Sequence, residues 1–228
     1  PQPTTVSFTV AVPEVTDVAN AAQPNPLVVS FAASVAPLAN VGKDVEQGVA
    51  MRPAIPGTWR WSDQRTLVFQ PKEDWPVGQD EHVDFGNALL APQTLLAEYG
   101  FDFRTPSFGV QLQRSEFYQD PVNPGIKKAV FDLVFTHPVQ ISDIEKRLSL
   151  SLSDRSGGLL GPNKGAIKFT LTYDKLRLHA YVHSESLPIP AESSSLELTL
   201  AEGVHAARGG RPADGPLTGR VEVPGLYS

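Results

Sequence analysis

Residues 57–79, GTWRWSDQRTLVFQPKEDWPVGQ, contain all three tryptophans of the 228-residue chain, Trp59, Trp61 and Trp75. Alternation places Trp59 and Trp61 on one face of a strand with Arg60 opposite, and Leu67 and Phe69 on one face of the next strand. The intervening SDQR, residues 62–65, reads as a short hairpin turn. Two readings compete for this cluster. It is either the inward face of a β domain or an exposed aromatic platform of the kind that binds sugars. A platform needs polar hydrogen-bonding residues interleaved with its rings, and Arg60, Thr66 and Val68 supply that set poorly. The pattern therefore favours core, with Trp59, Trp61 and Trp75 kept as the candidate ligand platform.

Working outward, period-2 alternation dominates the chain. Strands are expected at residues 5–12, 27–33, 65–70 and 98–104. In the last of these Tyr99, Phe101 and Phe103 share one face. A second set follows residues 105–108, with strands expected at 107–113, 129–135, 148–153, 167–173, 176–182 and 195–200. Turn signals separate them at Asn123-Pro124-Gly125, Gly157-Gly158, Gly161-Pro162-Asn163 and Tyr173-Asp174-Lys175. Short strands at this spacing, without long helices between them, predict β-sandwiches. The helical exceptions are residues 142–150, where Ser142 and Glu145 have capping-box spacing, and, more weakly, residues 40–50, where Gly42 and Gly48 count against a helix.

The chain also repeats itself. LVVSFAASVAPL (27–38) parallels FDLVFTHPVQIS (131–142), and RTLVFQPKEDWPVGQ (65–79) parallels LRLHAYVHSESLPIPAE (176–192). The order of elements recurs even though identities do not, which points to two copies of one unit. The expected architecture is all-β: two tandem antiparallel β-sandwiches, residues 1–105 and 106–228, with very little helix.

Composition narrows the function classes. With 25 acidic against 19 basic residues, a formal charge of −6 and no long basic run, nucleic acid is not an expected partner. There is no cysteine, so disulfides, thiolate metal sites and a cysteine nucleophile are excluded from these residues. No apolar run approaches the roughly 18 residues of a spanning helix. Met51 is the only methionine, so residue 1 is expected to be a processing site or a boundary, with any targeting signal expected outside the sequence.

No catalytic or metal site emerges. His179 and His183 lie four apart on an alternating strand, a separation of roughly 13 Å, too far to share one ion. His82, His137 and His205 read as isolated. The serine-rich residues 184–195 lack a nucleophile elbow. Residues 157–169, GGLLGPNKGAIKF, lack phosphate-loop spacing and read as a hairpin loop. No enzyme activity, cofactor or metal is expected.

Two stretches resemble a known family, the bacterial alpha-2-macroglobulins. RPAIPGTWRWSDQRTLVFQPKEDWPVGQ (52–79) is similar to their early repeats, in which Gly-x-Trp-x-Trp turns back as Thr-Leu-x-Phe-x-Pro and reaches a Trp-Pro-x-Gly corner. EFYQDPVNPGIKKAVFDLVFTHPVQISDIEKRLSLSL (116–152) is similar to the stretch that follows. The resemblance implies a large, multidomain, envelope-associated periplasmic protein, often lipid-anchored to the inner membrane. Such proteins trap proteases through a bait region and a Cys-Leu-Glu-Gln thioester. It also implies that the present residues are N-terminal macroglobulin sandwiches of fibronectin-III/Ig-like type, forming a scaffold. Their partners would be other domains of the same parent chain and, through the full-length protein, target proteases. Without cysteine, the thioester cannot lie here. DEHVDF (80–85) departs from the family, which has an aromatic in that strand. The alternative is an envelope carbohydrate- or protein-binding Ig-like module.

Overall fold

The computed structural model describes residues 4–20, 23–154, 165–188 and 192–226. The chain divides into two compact units, Pro1–Ser107 and Phe108–Ser228. Both are antiparallel β-sandwiches.

The first unit runs β1 (Phe8–Ala11), β2 (Leu27–Phe31), β3 (Asp44–Val45), β4 (Val49–Arg52), β5 (Gly57–Trp61), β6 (Thr66–Pro71), β7 (Asp80–Phe85) and β8 (Gly100–Arg104). Its larger sheet has the order β1-β2-β6-β5-β3 and its smaller one β4-β7-β8. The tryptophan stretch forms the β5–β6 hairpin, in register Trp59↔Phe69 and Trp61↔Leu67. Strand alternation then sends Trp59, Trp61, Leu67 and Phe69 inward together, where they meet Leu27, Val29 and Phe31 of β2. Met51, Val83, Phe85 and Phe103 close the core from the smaller sheet.

The second unit runs β9 (Val110–Gln119), β10 (Lys127–Phe135), α1 (Ile141–Arg147), β11 (Leu148–Asp154), β12 (Ala166–Ile167), β13 (Phe169–Tyr173), β14 (His179–Ser184), β15 (Ser194–Leu200) and β16 (Leu217–Val223). Its sheets are β13-β14-β10-β9 and β12-β11-β15-β16. Ala129, Phe131, Leu133, Ala180 and Val182 face Leu150, Leu196, Leu198 and Val223 across the core, all essentially buried. Gly219 lets β16 come close to β9, because a Cβ there would stand 2.5 Å from Leu112 Cδ2.

The two units pair their strands in the same order. β1-β2-β6-β5 corresponds to β9-β10-β14-β13, and β4-β7-β8 to β11-β15-β16. The repeated sequence elements occupy equivalent places: β2 lies beside β6, with Leu27↔Phe69, as β10 lies beside β14, with Leu133↔Ala180.

Several local expectations need correction. Residues 40–50 form no α-helix. They carry β3 and the start of β4 after a 3₁₀ turn at Leu38–Asn40, and Gly42 and Gly48 take positive φ. In α1 the N-cap is Gln140, with no side-chain capping bond, and Ser142 is already inside the helix. The strand expected at 167–173 is two strands, β12 and β13, which belong to different sheets. The strand read at 107–113 continues to Gln119, and β16 falls where no strand was expected. DEHVDF, whose pairing the family pattern left open, is the central strand of the smaller sheet. The glycine turns at 157–158 and 161–163 lie outside the described residues.

Candidate functional site

The three tryptophans are core side chains. Trp61 and Trp75 are essentially inaccessible and Trp59 retains 8% of its surface. Trp75 Nε1 donates to the Asn25 carbonyl at 2.8 Å, which fastens the corner after β6 to the chain preceding β2. The Trp59–Phe69, Phe69–Trp75 and Trp75–Phe103 rings sit 5.0–5.9 Å apart, within the range of favourable aromatic pairing. A sugar platform needs open ring faces, and these rings turn theirs to one another and to the core.

The histidines fall into different settings. His179 and His183 share the outer face of β14, opposite Val134 and Val130 of β10, and His179 stacks on Tyr181 at 6.1 Å. His137 is buried, with Nδ1 2.7 Å from Thr136 Oγ1. His205 is not isolated: its backbone N–H donates to Asp143 Oδ2 at 3.0 Å, and its ring Nδ1 lies equally close to the same oxygen. Burial alone would raise the Asp143 pKa. The His205 contacts and Arg147, whose Nη1 donates at 3.2 Å, outweigh it and hold the carboxyl below the usual range.

A charge cluster lies on the outer face of the smaller sheet of the first unit. The registers Arg52↔His82 and His82↔Asp102 set one row across β4, β7 and β8, and Asp80↔Arg104 sets the next. Arg52 Nη2 donates to Asp84 at 2.6 Å and Arg104 Nε to Asp80 at 2.7 Å. His82 sits between two carboxylates, with Nδ1 2.6 Å from Asp102 and Nε2 2.8 Å from Asp84. The hydrogen bond to Asp102, then that to Asp84, raises the His82 pKa, and the His82 contact in turn lowers that of Asp84. Arg52, Asp80, Glu81, His82, Asp102, Phe103 and Arg104 line an open concavity of about 580 Å³ here. His82, read as isolated, is the centre of this cluster. The alternation Asp80-x-His82-x-Asp84 on one strand is the signal that could have found it.

Behind the cluster, on the inward side of β7, Glu81 is 2% exposed. Gln79 Nε2 donates to its Oε1, while Oε2 has no hydrogen-bond partner. Burial pushes the Glu81 pKa up against that single bond.

Among the described residues, no group of three or more His, Cys, Asp or Glu is arranged to hold a metal ion. Two serines of residues 184–195 make structural hydrogen bonds. Ser184 Oγ accepts from the Ala129 N–H at 2.8 Å, and Ser195 Oγ donates to Glu222 at 3.2 Å. Burial pushes the Tyr173 phenol up to about 12, out of reach of acid–base work near neutrality. No described helix is long and apolar enough to cross a membrane.

No family model matches the chain. It is 35% identical over 204 residues to a Yersinia pestis protein named alpha-2-macroglobulin homolog, an alignment covering 89% of this chain and 10% of that protein. It is 33% identical over 211 residues to the alpha-2-macroglobulin of Pasteurella multocida, covering 89% of this chain and 11% of the relative. The chain thus spans about a tenth of the length of these relatives.

Proposed function

From this chain's kinship with the bacterial alpha-2-macroglobulins, we propose that it is a scaffold portion of a protease-trapping protein of the cell envelope, without catalytic chemistry of its own. The observation that carries this reading is the alignment across 89% of the chain, which takes in both sandwiches. The burial of the candidate platform supports it, since Trp59, Trp61 and Trp75 stabilise the first sandwich instead of presenting themselves to a ligand. Two compact sandwiches in tandem suit a role in spacing neighbouring domains. In this reading the thioester belongs to another part of the parent protein, because the 228 residues contain no cysteine. The partners are those other domains and, through the whole protein, proteases. The location is periplasmic, with any lipid anchor outside these residues.

Incubation of the 228-residue chain with trypsin tests the proposal. The expected result is proteolysis or indifference, with no adduct surviving denaturing electrophoresis and no stoichiometric loss of protease activity. An adduct or stoichiometric inhibition overturns it. The chain without protease should show blue-shifted tryptophan emission that oligosaccharides leave unchanged. Emission that moves on adding a glycan would restore the carbohydrate-binding alternative.

A further inference from the structure

We propose that His82 is a proton-operated clamp within the smaller sheet of the first unit, which ties β8 to β7 when charged and lets β8 loosen when neutral.

The reasoning starts from donor counting. A neutral imidazole carries one N–H, and an ionised carboxylate can only accept. Both ring nitrogens of His82 face carboxylate oxygens, Asp102 at 2.6 Å and Asp84 at 2.8 Å. Only the imidazolium can donate to both. A neutral ring would turn a nitrogen lone pair toward one carboxylate, so the geometry calls for a bound proton.

The surrounding charges say which link is lost with it. Arg52 of β4 and Asp102 of β8 stand directly across from His82, and Asp80 and Asp84 lie two residues to either side on β7. Arg104 of β8 completes the group through Asp80. With His82 charged, three cations face three anions and the patch is neutral. That self-pairing is why the concavity reads as a clamp and not as an ion-binding site. A neutral His82 has one N–H for its two carboxylates, and its pair with Asp102 across β7 and β8 loses its charge, whereas the Arg52–Asp84 pair at 2.6 Å does not depend on His82. Asp102 belongs to β8, an edge strand held in its sheet by β7 alone.

The neighbouring carboxylates raise the His82 pKa above its ordinary value of 6.5. The folded sheet therefore holds a proton that the unfolded chain gives up. The support is complete below the ordinary histidine pKa and is lost as pH rises through the higher folded value. The second unit supplies an internal control. The equivalent outer row on β15 and β16 pairs Ser195 with Glu222 and Glu197 with Arg220, and contains no histidine.

The test is amide hydrogen exchange on the whole chain, corrected for the intrinsic pH dependence of exchange, alongside NMR titration of the histidine rings. The expected result is that His82 titrates above 6.5 and that protection of the β8 amides falls with the same midpoint. The fall should be about two- to five-fold, the scale of exposed charge pairs, while β15 amides hold steady. His82→Arg, a permanent cation with several N–H groups, should stay protected across the range. His82→Gln should stay flat at the released level. Tryptophan emission checks that both variants are folded. The proposal is overturned if His82 titrates at or below 6.5, if wild-type β8 protection ignores the titration, or if His82→Arg follows the wild-type curve.

Discussion

The two sandwiches use one pairing order and fill it with different side chains. The first packs Trp59, Trp61 and Trp75 with Phe31, Phe69, Phe85 and Phe103, while the second relies on Leu133, Leu150, Leu196, Leu198, Val182 and Val223 around Phe131 and Phe135. Their common element order with little shared identity shows what the fold requires. Alternation and strand sequence fix which positions point inward, and many combinations of apolar volume can then occupy them. The difference lies in how the cores resist change. Interlocked rings offer few ways to collapse around a void, whereas neighbouring leucines can shift.

The sharpest way to break this comparison is to cut one large side chain from each core. Trp61→Ala should destabilise the first unit by about 3–5 kcal/mol. Trp61 Nε1 makes no hydrogen bond, so the loss is one of packing alone. Leu133→Ala should cost the second unit about 2–5 kcal/mol, toward the lower end if its aliphatic core relaxes. Tryptophan fluorescence during urea unfolding reads the first unit only, because all three tryptophans lie there, and far-UV circular dichroism reads both. A Trp61→Ala cost below that of Leu133→Ala would remove the distinction drawn between the two cores.

A smaller effect should come from the connection after the second strand of each unit. In the first unit it is a 3₁₀ turn and two positive-φ glycines, and in the second it is α1. Asp143 ties α1 to the chain near His205, and Arg147 Nε donates to the Glu202 carbonyl at 3.1 Å. Asp143→Ala should cost about 1–3 kcal/mol, since it strands charged-group hydrogen bonds in a partly buried place. The Asp143 pKa is lowered by folding, so its contribution is present above the ordinary Asp value and is lost as pH falls through the folded one. The wild-type and Asp143→Ala stabilities should therefore converge in acid, and parallel curves from pH 7 down to pH 2 would refute the assigned role.

That contrast also explains what could be read from the sequence. Trp59, Trp61, Leu67 and Phe69 announce the β5–β6 hairpin because a period of two and a short polar turn are local properties. β16 escapes notice because Gly219 interrupts its apolar face, and that gap has meaning only against Leu112, more than a hundred residues earlier. Lys168 falls where the chain leaves one sheet for the other, so a continuous alternating run conceals two strands. The Ser142–Glu145 spacing suggests a capping box, yet the residue that anchors α1 is Asp143, through a partner 62 positions away. The His82 cluster is hidden for the same reason. Its members come from three strands, and only the register of β4, β7 and β8 puts them in rows.

The smallest expected effect concerns polar groups inside the cores. Both interiors hold buried polar atoms without a partner, Trp61 Nε1 and Glu81 Oε2 in the first unit and Tyr173 OH and Ser194 Oγ in the second, but among them only Glu81 is a carboxyl. An unmet carboxyl is costly to bury, and replacing it with an apolar side chain of similar size removes the cost. Glu81→Leu should therefore stabilise the first unit, by about 1 kcal/mol near neutral pH. The sign with pH is opposite to that of Asp143. Burial raises the Glu81 pKa, so the folded state holds the carboxyl proton more tightly than the unfolded chain does. Stability from this group is greatest below the ordinary Glu value of 4.5 and is lost as pH rises through the folded value. The advantage of Glu81→Leu over wild type should accordingly be larger at pH 8 than at pH 4, measured by tryptophan fluorescence in urea. An advantage independent of pH would mean that Glu81 is satisfied in the folded protein, and the buried carboxyl would then not set the first interior apart from the second.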